Sequence, residues 1–163
     1  MTTVARASRP LAVLLVLVIA AGLGATRAAA QSDASFPTLR GWGPRAGFST
    51  GPEQKVHFGV HADLGELAPL LSVRPSLEVG IGRHLTLVEL NFDALYQFRF
   101  TRRGPWTPHG GVGLGINSDM NIALSIVGGG VRPWAGHGDV VMEVRIGLAN
   151  SPDLTLAVGL LFH

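Results

Sequence analysis

Cysteine is absent from this chain of 163 residues, and lysine and tyrosine occur once each. Without a thiol there is no disulfide, no thiol chemistry and no lipoprotein attachment. Hydroxyls able to serve as nucleophiles are few: Ser49, Thr50, Ser118, Ser125 and Ser151, mostly at turn positions. No recognisable spacing joins a serine to a histidine, as a lipid-modifying hydrolase would need. The expectation is a non-enzymatic protein with no cofactor. Beyond residue 30 no stretch carries a convincing 3.6-residue period, so helices are not expected either.

The start of the chain is built differently. Arg6 and Arg9 precede the apolar run Leu11 to Ala25, and Ala28-Ala29-Ala30 follows. A basic n-region, an apolar h-region and a small-residue cleavage site read as a secretory signal peptide over residues 1–30. The run of about 15 residues falls short of the ~20 that a spanning helix needs, which disfavours an uncleaved anchor. Cleavage would remove Arg6, Arg9 and Arg27, leaving ten basic residues against 11 acidic ones in 133 residues. Nothing basic remains to attract nucleic acid. That length fits one domain, preceded by a polar, flexible leader over 31–40.

From Gly41 onward the pattern is alternation. In Leu87 to Phe100, positions 88, 90, 92, 94, 96, 98 and 100 are all apolar or aromatic. Between them lie Glu89, Asn91, Asp93, Leu95, Gln97 and Arg99. Successive side chains on a strand point to opposite faces, so this is a strand between an apolar and a polar medium. Seven further segments repeat it: 41–49, 55–64, 70–80, 106–117, 121–132, 140–148 and 154–162. Pro44, Pro75 and Pro108 fall inside these strands. Because proline cannot donate to a ladder, each is expected to mark a bulge or a local weakness.

Alternation alone does not separate a lipid-facing exterior from the apolar core of a soluble barrel; three features do. A water-exposed face is normally rich in lysine and glutamate, whereas Lys55 is the only lysine and the polar face mixes charges with glycine. Glycines at 47, 59, 111, 113, 115, 129, 147 and 159, with long charged neighbours, suit an eight-stranded interior just wide enough for side chains. Trp42, Tyr96, Phe98, Phe100, Trp106, Trp134 and Phe162 gather at one rim of an up-and-down barrel, as an aromatic girdle at a membrane interface does. Strands of about ten residues tilted ~45° rise roughly 23 Å, near the ~25 Å of an apolar band. The prediction is an all-β, eight-stranded antiparallel up-and-down transmembrane β-barrel over 41–163, behind a cleavable signal peptide.

RAGFSTGPEQ, HADLGELAPLLSVRPSLEVGIG, HLTLVELNFDALYQF and GGVGLGIN, in that order before a closing alternating strand, resemble small bacterial outer-membrane β-barrel domain proteins. The likeness runs from Gly41 to His163. It implies a place in a Gram-negative type cell envelope among outer-membrane lipids. It also implies recognition of the C-terminal strand by the outer-membrane assembly machinery, although here the aromatic Phe162 is penultimate. A monomer with a structural, envelope-stabilising or surface-interaction role follows, with short outward loops near 50–54, 80–84, 117–120 and 149–153.

The candidate site is the lumen. Arg45, Asp63, Arg74, Glu78, Glu89, Asp93, Arg99, Glu143 and Arg145 share the polar face, and buried charges persist only when paired. Eight strands leave no aqueous channel, so a charge-paired plug is expected rather than a conduction path. His57 and His61, four residues apart on one strand, are ~13 Å apart and cannot share a metal at ~2.1 Å. Gly111-Val112-Gly113-Leu114-Gly115 has no helix after it, which removes a dinucleotide reading. The rival architecture is a secreted soluble barrel carrying an apolar ligand, which would turn Val88, Leu90 and Phe92 inward. An outer-membrane lipid-modifying enzyme is the remaining alternative.

Overall fold

The computed structural model describes residues 36–51, 54–83, 86–98, 104–134 and 136–163. Nine strands form among them: β1 (Gly41–Thr50), β2 (Lys55–Asp63), β3 (Glu66–Ala68), β4 (Leu71–Gly82), β5 (Thr86–Gln97), β6 (Thr107–Asn117), β7 (Ile122–Trp134), β8 (Gly138–Ala149) and β9 (Leu154–Leu161). All pairings are antiparallel. Each long strand pairs with the next, β2 pairs with β4, and β1 with β9, so eight strands close into an up-and-down barrel. The short β3 pairs only with β4, across Pro69 and Leu70. Three residues are too few to carry a periodic signal, which is why the alternation does not announce this strand.

The alternating segments become strands whose ends move by a few residues. The segment expected to reach Phe100 pairs only to Gln97. Arg99 and Phe100 lie outside the described residues. Arg40 and Thr38, in the stretch expected to be a flexible leader, donate backbone hydrogen bonds to Asp63 and Leu64 at 2.8 and 3.0 Å. This end of the leader is therefore laid along the end of β2. The signal segment, residues 1–30, lies outside the described residues.

The registers set the tilt. Pro44 pairs with Val60, Val60 with Leu77, Leu77 with Leu90, Leu90 with Ile116 and Ile116 with Ile122. Four residues further along β7, Ile126 pairs with Ile146, Ile146 with Leu154 and Leu154 with Thr50. The circuit returns six residues beyond its start, and the four conceded on β7 make a stagger of ten. Ten residues at ~3.3 Å over eight strands at ~4.8 Å give a tilt of about 40°, within the range of closed barrels.

The prolines do not produce bulges. The registers shift only at Glu66/Ala68 and Leu124/Ser125, away from all three. In an antiparallel pair a residue directs its N–H and its C=O to the same neighbour. Pro44 faces β9, whose continuous ladder begins at Arg45 and Gly159. Pro75 faces β2, whose ladder ends at His61 and Ser76, and Pro108 faces β5, whose ladder ends at Gln97 and His109. Each missing donor thus falls one pair beyond the end of a ladder, all at the rim that carries the termini.

Parity divides the wall as the pattern requires. Val88, Leu90 and Phe92 are exposed on the outside, while Asn91, Asp93 and Leu95 are buried within. The soluble-carrier arrangement, with those three apolar side chains at the centre, is not the one formed. The core is the lumen itself, and it is layered. Leu95, Val141 and Leu161 are buried toward the terminus end, charged groups fill the middle, and a polar mouth opens between the turns at the other end.

Candidate functional site

Glu143, on β8, is the centre of the lumen. Its Oε2 accepts from Arg45 Nη1 at 2.5 Å and its Oε1 from Arg74 Nη1 at 2.6 Å. β4 and β8 stand four strands apart around the ring of eight, so the bond between Arg74 and Glu143 crosses the full diameter. His109 Nε2 lies 3.3 Å from the same Oε1, close but not aligned for a hydrogen bond. Arg45 Nε approaches Glu78 Oε1 at 3.2 Å, and that oxygen also accepts the Ser76 hydroxyl at 2.9 Å. Arg74 Nη2 is 3.7 Å from Asp63 Oδ2, and Asp63 Oδ1 caps the amide of Gly65 at 2.8 Å. Arg145 binds Asp93 separately, at 2.6 Å.

The structure thus joins Arg45, Asp63, Arg74, Glu78 and Glu143 in one network and Asp93 with Arg145 in a second pair. Glu89 stands apart. It faces Glu78 across β4 and β5 and makes no ion pair among the described residues. Charges buried this deeply persist because each guanidinium meets a carboxylate; removing one partner strands the other at a cost of roughly 3–5 kcal/mol.

Glycine makes the space. A Cβ at Gly113 would collide with the Asp93 carboxylate, one at Gly115 with the Asn91 side chain, and one at Gly59 would sit 2.9 Å from Glu78 Cγ. Each of these glycines is the register partner of the polar residue it accommodates. The same holds for Gly129 and His109, and for Gly80 and His57. A polar side chain therefore lies over the bare backbone of the next strand. Two of the three glycines in the GVGLG run, Gly113 and Gly115, are such seats, whereas a Cβ at Gly111 would meet the Ala94 backbone.

The sequence reading did not assign the histidines to the lumen chemistry. His109 lies on the inward face of β6, where the alternation places it, and only the registers bring it to Glu143. The structure also brings together a pair that no sequence spacing reveals. His57 Nε2 and Ser49 Oγ are 2.8 Å apart, on adjacent strands. A serine activated by a histidine is a nucleophile, but Ser49 is 0% exposed and His57 Nδ1 has no partner to orient the ring. The arrangement as it stands ties β1 to β2. Among the described residues, no group of three or more His, Asp and Glu side chains is placed to hold a metal ion.

Above the network a cavity of about 20 Å³, the space of roughly one water, lies among Arg45, His57, Glu78, Glu89, Asn91 and Arg145. On the outer wall, Trp42, Tyr96, Phe98, Trp106, Trp134 and Phe162 are all exposed and lie at or beyond the strand ends of the terminus rim. The Tyr96 and Phe98 rings meet edge to face, with centroids 5.4 Å apart.

No protein-family model matches the chain, and neither does any curated protein. Among solved structures it is similar to the solution NMR structure of the de novo designed TMB2.3, a transmembrane β-barrel. The TM-score is 0.54 at 19% identity, covering 81% of this chain and 98% of that one. At that identity the likeness is one of fold: a closed, eight-stranded, antiparallel up-and-down barrel.

Proposed function

We propose that the chain is an integral outer-membrane β-barrel protein of a Gram-negative type cell envelope, exported by a signal peptide over residues 1–30. The observation that carries this reading is the parity of the wall. Val56, Phe58, Leu77, Phe92, Ile126 and Leu156 are exposed, whereas Arg45, Arg74, Asp93 and Glu143 are almost wholly buried. In water that inversion would expose apolar area far beyond what a soluble surface tolerates; against lipid it is the favoured arrangement. Strands of about 11 residues tilted ~40° rise roughly 28 Å, enough to span the ~25 Å apolar band.

The role is non-enzymatic: structural, envelope-stabilising or surface-interacting. Lipids contact the wall, the assembly machinery reads the C-terminal strand, and the protein is a monomer. The ion pairs about Glu143 fill the middle of the lumen and plug it against ions. Expression of the full chain in a diderm bacterium, followed by fractionation, tests the reading. The expected result is a detergent-extracted outer-membrane protein whose gel mobility changes on boiling, with no conductance in planar bilayers and unchanged lipid acyl patterns. Recovery from the soluble periplasm would overturn it.

A further inference from the structure

We propose that the mouth of the lumen, at the turn end of the barrel, binds a small zwitterion whose anionic group is held by Lys55 and whose ammonium is held by Glu89. Lys55 is the only lysine in the chain, yet it is just 9% exposed, facing inward at the start of β2. Among the described residues it makes no hydrogen bond or ion pair. Glu89, half-buried on β5, makes none among them either. The three lumen arginines, by contrast, each meet a carboxylate at 2.5 or 2.6 Å. A lumen that pairs these three guanidiniums so closely leaves Lys55 and Glu89, of opposite charge, without an ion pair among the described residues, both lining one mouth.

Both residues line a cavity of about 250 Å³, together with Thr50, Leu87, Asn117 and Ser151. At ~30 Å³ per water this holds roughly eight waters, so an occupant of about that many non-hydrogen atoms fits. The charges select its chemistry. Glu89 is the carboxylate that lines this cavity; Glu78, its register partner across β4 and β5, is buried and already has Arg45 Nε at 3.2 Å. A simple cation would be repelled by Lys55, and a simple anion by Glu89. A molecule carrying both charges meets both groups. Leu87, 5% exposed and inward-facing, offers apolar contact for a short methylene spacer between them. Hydroxyl and amide donors from Thr50, Ser151 and Asn117 complete the rim.

The test uses the membrane-extracted protein in an uncharged maltoside detergent, since zwitterionic detergents would compete. The probes are glycine, 4-aminobutanoate, 6-aminohexanoate and O-phosphoethanolamine, followed by calorimetry and by the NMR shifts of the Asn117 and Asn150 side-chain amides. Saturable binding of at least one probe is expected, about tenfold tighter than butylamine or butanoate. Lys55→Gln and Glu89→Gln should each weaken it by about tenfold while heat-modifiable mobility is retained. Preference for the aminocarboxylates or for phosphoethanolamine separates an amino-acid-like occupant from a headgroup-like one. No saturable response to any probe, or equal affinity for the singly charged analogues, overturns the proposal. The comparison with those analogues on the unaltered protein decides the matter even if a variant fails to fold. Neither result bears on where the barrel resides, which fractionation reads separately.

Discussion

The imidazole of His61 donates from Nε2 to the carbonyl of Leu160 at 3.0 Å, opposite the one residue of β1 that cannot do so. Trp42 and Phe162 exchange both backbone hydrogen bonds, at 3.1 and 2.9 Å, so the next exchanging pair along the seam is Pro44 with Leu160. Proline has no N–H, and a lumen histidine supplies the missing donor. Gly159 leaves the ring its room, since a Cβ there would stand 2.6 Å from Nε2. His61→Ala should therefore cost about 1–3 kcal/mol, the penalty of an orphaned buried carbonyl. In a Pro44→Ala background, where a backbone N–H returns, most of that cost should vanish. Urea unfolding in lipid vesicles measures the cycle, and an identical cost in both backgrounds would refute the compensation.

Glu143 takes two guanidinium groups from different strands, one of them across the diameter. Glu143→Gln leaves two buried cations short of a charge and should cost roughly 3–5 kcal/mol. Glu78→Gln should cost less, because Arg45 retains Glu143. The same unfolding measurement compares them, and equal costs would mean that Glu143 is not the hub.

Two glycines provide a contrast in one hairpin. Gly113→Ala places a methyl on the Asp93 carboxylate and 2.7 Å from the Ser125 hydroxyl, and should destabilise by about 1–3 kcal/mol. Gly128→Ala, with nothing within 4 Å of the added Cβ, should be neutral or stabilising by up to ~1 kcal/mol. If the two variants unfold together, lumen space is not what Gly113 provides.

His163 closes the chain with both ring nitrogens facing acceptors: Nδ1 is 2.7 Å from the Arg40 carbonyl and Nε2 is 3.0 Å from Asp139 Oδ2. Only the imidazolium can donate to both, and first the Arg40 carbonyl, then Asp139, hold its pKa above the ordinary 6.5. A raised histidine stabilises fully below its unfolded value and loses that contribution as pH rises through the folded one. The effect is small, because the ring is exposed and screened. NMR titration of the ring should show the elevation, and Asp139→Asn should reduce it. A midpoint at or below 6.5 would remove the clasp.

Met120 sits at φ 60° in the turn between β6 and β7, with its side chain 81% exposed. The left-handed conformation costs a non-glycine residue roughly 1–2 kcal/mol, and no packing is lost by trimming this one. Met120→Gly should raise the urea midpoint, corresponding to about 0.5–1 kcal/mol after the glycine's extra chain entropy. A lowered midpoint would show that the methionine makes a contact in the folded protein.

Much of the barrel is legible in the chain because a strand's two faces meet two different media. Leu87 to Gln97 declares its faces residue by residue, and the aromatics from Trp42 to Phe162 mark one rim. The reading fails where a neighbour decides. At Pro44, Pro75 and Pro108 the chain allows either a bulge or a local weakness, and only the registers decide for a ladder that ends beside each proline. The reading finds no serine beside a histidine, because Ser49 and His57 meet only through the β1 and β2 register. It passes over β3, whose three residues pair through a tight turn rather than through periodicity.

By itself the sequence determined which residues share each face of the wall, since parity along one strand is a local property of the extended backbone. Only the closed structure decided which of the inward residues meet. Arg74 finds Glu143 because a stagger of ten residues brings β4 and β8 to the same height on opposite sides. The same geometry leaves Lys55 and Glu89 without an ion pair among the described residues. Pairing across a lumen depends on every register around the ring at once, and no segment of the chain contains that information alone.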